Sequence, residues 1–273
     1  MKKQGSKINE ASTSQIRINI PTNGNVLLEK VLSQINSNRE IKTLWRIINV
    51  NAIERLGFTD HGPTHFNIVA NYGLQIARIF EKKGIEMSIV RDFGLTNDHA
   101  EVVIFLGCIM HDLGMSIHRV NHEIFSLFIA RDFLRDILAS LPIEERTVVI
   151  SEALHAIISH SHGSPGKTST VEGGIVRIAD ALDMSKGRSR IPYQMGQIDI
   201  HSVSANAIES VTVSEGEGKP VEIKIVMTTE AGVFQVDDFI EEKLEVSGLN
   251  KYIDVKSYLK ENGKERIYKD YTS

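Results

Sequence analysis

Apolar residues recur at helical spacing through the first two-thirds of the chain and at strand spacing only after Pro192. Residues 26–36 and 40–55 each carry a one-sided apolar stripe, the second built from Leu44, Trp45, Ile47, Ile48 and Ile53. Gly57 and Asp60-His61-Gly62-Pro63 interrupt it. Pro63 suits the first turn of the next helix, whose stripe runs through Ile68, Val69, Ile76, Ala77 and Phe80 to Gly84. Asp98-x-x-Glu101 has the form of a capping box and opens a helix that ends at His111-Asp112. Asn121 can cap a helix through Leu138, and Pro142 with Glu144-Glu145 starts another that lasts to about His160. After a loop, residues 171–186 are helical again.

Beyond Pro192 the period shortens. Residues 198–200, 211–213 and 221–227 cluster or alternate β-branched side chains and read as strands, with Glu215-Gly216-Glu217-Gly218 as a turn. Residues 236–246 read as a helix, and residues 266–271 as one more strand. The expected fold is mainly α: a polar, flexible arm over 1–25, a helical domain over 26–195, and a small α+β domain over 196–273.

Composition narrows the setting. The 273 residues carry a net charge of −4, so no overall basic character points to nucleic acid. A single cysteine, Cys108, rules out an intramolecular disulfide framework and suggests a reducing, cytoplasmic home. No stretch reaches the roughly 18 apolar residues of a membrane span. The charged N-terminus has no apolar region behind it, unlike a signal peptide. The arm and the tail offer surfaces on which a homodimer could form.

The chemistry concentrates in the helical part, where nine of the ten histidines fall between His61 and His162. His111-Asp112 ends an otherwise apolar run, Leu106-Gly107-Cys108-Ile109-Met110. Burying an imidazole and a carboxylate against a core is costly without compensation, and a metal ion is the strongest compensator. Adjacent helix positions diverge by about 100°, so both can meet one ion only near a helix end. His65 and His122 lie in first turns, His160 at a helix C-terminus, and Asp180 inside an apolar stripe. Imidazoles with carboxylates suit Mn, Fe, Co, Ni or Zn better than Mg or Ca.

Other residues carry weaker signals. His61 and His65 are four apart, as are His118 and His122, but the loop at Asp60–Pro63 gives His61 a role toward substrate or a water instead. His155 lies on an apolar face and reads as structural, as do His99 and His201. Lys186, Arg188 and Arg190 form a basic run just beyond the Asp180 helix, and with His162 they are candidates for phosphate contact; Arg119 is a weaker one. Asp183, one turn after Asp180, is either a partner for a ligand histidine or solvated.

The order His65 … His111-Asp112 … Asp180 resembles the H…HD…D signature of the HD-domain phosphohydrolase superfamily. His122-Glu123-Ile124-Phe125-Ser126 and Ile157-Ile158-Ser159-His160-Ser161-His162-Gly163 resemble segments of its HD-GYP-like and dinucleoside-tetraphosphate-hydrolase-like branches. The resemblance spans most of residues 60–190, with nothing contributed by the tail. It implies an HD-domain helical bundle in which His65, His111, Asp112 and Asp180 hold one divalent metal. His122 and His160 help hold a second, with Asp112 bridging. It further implies hydrolysis of a phosphorylated small molecule, a nucleotide above all, by metal-activated water, with His61 and Arg188 assisting Asp112. The chain departs from the HD-GYP pattern at Ser161, which stands where a paired histidine is usual. The Gly-Tyr-Pro motif is absent, and Met115 or Ser116 replaces the lysine that often follows the HD pair. A silent nucleotide sensor or scaffold and a di-iron oxygenase would use the same ligand types.

Overall fold

The computed structural model describes residues 13–161, 168–184, 204, 206–237, 240 and 242–271. Its helical body comprises α1 (Val26–Ser37), α2 (Arg39–Asn49), α3 (Pro63–Lys82), α4 (Ser88–Phe93), α5 (Asn97–Met110), α6 (His122–Ile137), α7 (Ile143–Ile158) and α8 (Val171–Leu182). Asn25 and Asn38 cap α1 and α2 through their side chains, and Pro63 opens α3 where its missing N–H costs nothing. A π-helical segment, Val50–Arg55, prolongs α2.

Two helices occupy the centre. Every residue from Ala100 to Met110 in α5 and from Glu172 to Leu182 in α8 is buried, so neither shows the polar face of a surface helix. Gly107 lets α5 pass close to both α8 and α7, since a Cβ there would lie 2.9 Å from Val176 and 3.1 Å from Ala156. Helix α3 packs against both. Cys108 sits in this apolar centre, and burial pushes its thiol pKa up. Among the described residues no helix is long and apolar enough to cross a membrane.

Three expectations change. The capping box of α5 is Thr96 with His99: each side chain accepts from the other residue's backbone N–H. Asp98 and Glu101 do not form it; Glu101 turns inward to meet Arg78 Nε at 2.6 Å and Asn25 Nδ2 at 2.9 Å. Residues 13–25 are packed rather than loose. Ile18 and Ile20 are buried, and Asn36 bonds both the N–H and the carbonyl of Ile18 at 2.9 Å. The helix expected over 236–246 is two short helices, α9 (Gly232–Val236) and α10 (Glu242–Ser247).

The C-terminal sheet has the order β1-β2-β3-β4, formed by Ile208–Glu215, Val221–Met227, Ile253–Glu261 and Lys264–Asp270. Pairing is antiparallel for β1/β2 and β3/β4 and parallel for β2/β3, with Val221 opposite Ile253 and Met227 opposite Leu259. A parallel pair needs a crossover, and α9 and α10 lie on it. Strand β1 is anchored to α3, where Tyr72 and Gln75 donate to the carbonyls of Val211 and Val213 at 3.0 and 2.7 Å. Helix α10 packs on α8. The strand expected at 198–200 lies outside the described residues.

Candidate metal centre

The helix carrying the HD pair ends at the pair. His111 keeps helical angles as the C-cap of α5, while Asp112 (φ −98°, ψ 9°) turns the chain into a 3₁₀ segment, Leu113–Ser116. This break lets neighbouring side chains converge, with His111 Nε2 3.4 Å from Asp112 Oδ2. Gly114 then seats the turn against α6: a Cβ there would lie 2.0 Å from the His122 carbonyl oxygen. Ser126 Oγ accepts from the Gly114 N–H at 2.8 Å and donates to the His111 carbonyl at 2.6 Å. His122, at the start of α6, is thereby brought beside Asp112.

The structure brings six of the expected residues into one buried cluster. His65 Nε2 lies 3.1 Å from His111 Nε2, 3.3 Å from Asp180 Oδ1 and 3.9 Å from Asp112 Oδ2. On the other side of Asp112, Oδ1 lies 3.1 Å from His122 Nε2 and 3.6 Å from His160 Nε2, and these two nitrogens are 3.3 Å apart. Three overlapping sets, His65/His111/Asp112, His111/His160/Asp180 and Asp112/His122/His160, each offer ligand atoms within 4.8 Å of one another. Asp112 thus presents one oxygen to each half of the cluster.

The tautomers follow from the partners. His111, His122 and His160 each turn Nδ1 to the backbone carbonyl three residues earlier, of Cys108, Arg119 and Ile157, at 2.9, 3.0 and 2.6 Å. His65, near a helix N-terminus, uses a carboxylate instead, Asp183 Oδ2 at 2.7 Å. Carbonyls and carboxylates only accept, so Nδ1 carries a proton in all four rings, and in the neutral ring Nε2 presents a lone pair. Two such lone pairs face each other at 3.1 Å and two more at 3.3 Å. Facing lone pairs repel unless a proton or a cation lies between them. The donor set therefore fits divalent transition metals, with every imidazole fixed by an outer partner.

Charge is arranged to match. Burial would raise the Asp112 pKa, but His111, His122 and His160 hold it well below the ordinary carboxylate range. Asp180 is likewise held low against burial, chiefly by Lys243 and then by His65 and His111. Burial lowers the His160 pKa to about 4. Burial also acts to lower that of His122, but the Asp112 carboxylate wins and raises it.

Two residues join the cluster that the sequence did not single out. Lys243, from α10 in the C-terminal domain, donates to Asp180 Oδ2, so the tail does contribute to the centre. Glu123 accepts from Ser161 Oγ and lies 3.4 Å from His122 Nδ1. Adjacency to His122 was a signal for Glu123; no signal marked Lys243. His61 stands beside His65, ring centroids 5.9 Å apart, with Nδ1 2.8 Å from the Thr59 carbonyl oxygen. Arg119 stacks over Phe58 at 4.4 Å. His162, Lys186, Arg188 and Arg190 lie outside the described residues. His99 serves its capping box, and His155 bonds the Ser169 N–H at 3.2 Å.

Residues 64–185, which include all six clustered residues, match the family model described as the HD domain. With the helical fold and the histidine–aspartate cluster in place, the chain belongs to the HD-domain superfamily of metal-dependent phosphohydrolases. Among curated proteins it is similar to the uncharacterized protein MJ1020 of Methanocaldococcus jannaschii, with 39% identity over 243 residues. That likeness covers 89% of this chain and 92% of the relative, well beyond the HD segment. No solved structure gives a significant match.

Proposed function

We propose that this chain is a metal-dependent hydrolase of nucleotides or related phosphate esters, working with two ions that share Asp112. The observation that carries this reading is the division of the Asp112 carboxylate, Oδ2 toward His65 and His111 and Oδ1 toward His122 and His160. His65, His111, Asp112 and Asp180 would hold one ion, and Asp112, His122 and His160 the other, drawn from Mn, Fe, Co, Ni or Zn. Such ions acidify water to give a nucleophile near neutral pH and neutralise phosphoryl oxygens.

The remaining chemistry belongs to the chain. Asp112 has both oxygens committed to imidazoles, so it acts as a ligand and not as a free base. Asp183 keeps His65 in the tautomer whose Nε2 faces the centre. His61, buried beside His65, is placed to orient a water or a substrate oxygen. Phosphate contacts are assigned to His162, Lys186, Arg188 and Arg190. His162 is the next residue after Ser161, which bonds Glu123, and Lys186, Arg188 and Arg190 come within seven positions of Asp183, which bonds His65.

The test is metal analysis of the purified protein. It is followed by a screen of nucleotides and phosphodiesters with Mn, Fe(II), Co and Ni beside Asp112→Ala. Phosphate or nucleotide release that vanishes in the variant supports hydrolysis. Saturable nucleotide binding without turnover under every metal would replace this reading with a sensor.

A further inference from the structure

We infer that Lys243, supplied by the C-terminal domain, is a positioning residue of the metal centre, fixing Asp180 so that one oxygen alone faces the ion. This inference rests on the metal-centre reading above. Asp180 divides its carboxylate between two tasks. Oδ1 faces the imidazoles, 3.3 Å from His65 Nε2 and 3.6 Å from His111 Nε2, while Oδ2 accepts from Lys243 Nζ. Both partners are buried, with Lys243 only 3% exposed. An ammonium so placed is not a solvated surface charge. It persists only because a carboxylate meets it, and the carboxylate in turn loses its freedom to rotate.

The placement of Lys243 is secured independently of this ion pair. Helix α10 lies against α8 at Gly174, where a Cβ would come within 2.6 Å of the Ser247 carbonyl oxygen and 3.0 Å of Leu249. The Thr168 N–H donates to the Val246 carbonyl at 3.0 Å, tying α10 to the segment that enters α8. Ser247 Oγ accepts from the Leu249 N–H at 3.0 Å and closes the end of α10. The domain that looks like an appendage is thus docked on the ligand helix and delivers one cation to it. Two ligands of one ion are thereby held from outside, His65 by a carboxylate and Asp180 by an ammonium. Partners of this kind set ligand orientation, and removing one typically costs 10- to 100-fold in metal affinity or activity.

The experiment uses the full chain loaded with Co(II), whose visible absorption reports ligand geometry without any substrate. Lys243→Met is expected to alter that spectrum and weaken Co(II) binding by about 10- to 100-fold. Far-UV circular dichroism should stay unchanged, and Lys243→Arg should restore the wild-type spectrum. Should the Met variant fail to fold, Lys243→Gln, which keeps a donor without the charge, is measured in the same way and is expected to alter the spectrum and bind Co(II) more weakly than the wild type. A folded Met or Gln variant with the wild-type spectrum and equal or tighter Co(II) binding overturns the role of Lys243 alone. A wild-type protein that binds no Co(II) overturns the metal centre and this inference with it.

Discussion

The two halves of the metal centre are held by different means. On the side of His65, His111 and Asp180, charged partners do much of the holding: Asp183 grips His65 and Lys243 grips Asp180. On the side of His122 and His160, backbone carbonyls take both Nδ1 hydrogen bonds, Glu123 is only an ion-pair neighbour of His122 at 3.4 Å, and the His122 side chain is 12% exposed. A carboxylate partner makes an imidazole a stronger donor than a carbonyl does, and burial keeps water from competing. The first half should therefore bind its ion more tightly, and the second should be the half that exchanges and titrates.

The comparison can be broken most severely at Asp112, the one ligand common to both halves. Asp112→Ala should abolish binding of both ions by elemental analysis and reduce any hydrolysis at least about a thousandfold, roughly 4 kcal/mol of barrier. Retention of one tightly bound ion would show that the halves do not share it. Next, His122→Ala should leave one ion bound and lower turnover about a hundredfold, roughly 3 kcal/mol. His65→Ala should lose the tighter ion. Equal loss in the two variants would erase the asymmetry. Asp183→Asn sharpens the point without touching a ligand: calorimetry should find the first ion weakened by about 10- to 100-fold and the second unchanged.

Acidity separates the halves most gently. In metal-free protein, His160 is held to a pKa of about 4 by burial, so between pH 6.5 and 4 the unfolded chain takes up a proton that the folded chain refuses. Stability should fall as pH drops through that window, by on the order of 3 kcal/mol. His122 works in the opposite sense. Its raised pKa adds stability that is full below the unfolded value and lost as pH rises through the folded one. Asp112 and Asp180, held well below ordinary values, lose their contribution only at still lower pH. Melting temperatures in chelator should therefore decline on acidification less steeply for His160→Gln than for the wild type. Parallel declines would show that His160 is not the group refusing the proton.

Much of this was legible in the sequence because helices announce themselves through a 3.6-residue period. The Pro63 start and the β-branched run of β2 were readable for the same local reasons. Strand β3 was not. Its inward face is Ile253, Val255, Ser257 and Leu259, and the fully buried Ser257 interrupts the apolar alternation that signals a strand. The α5 cap was misread because Asp98 and Glu101 have the right spacing, while the real pair, Thr96 and His99, uses an imidazole as the reciprocal acceptor. The ligand cluster could be anticipated from residue types at helix ends. Lys243 could not, since a lysine in the helix expected over 236–246 reads as a solvated charge until the chain, 63 positions beyond Asp180, is folded back onto it.

The parallel pairing of β2 with β3 has a consequence for how changes travel. A chain that must re-enter a sheet in the same direction has to leave it and return, and residues 228–252 make that excursion here. Its outer limb rests on α8 and carries the ammonium that meets Asp180. The return path to the sheet therefore carries α10, and with it Lys243, against the ligand helix. Changes at the α10–α8 seam, at Gly174 or at Ser247 opposite it, would thereby reach Asp180 and retune the metal centre without replacing a ligand.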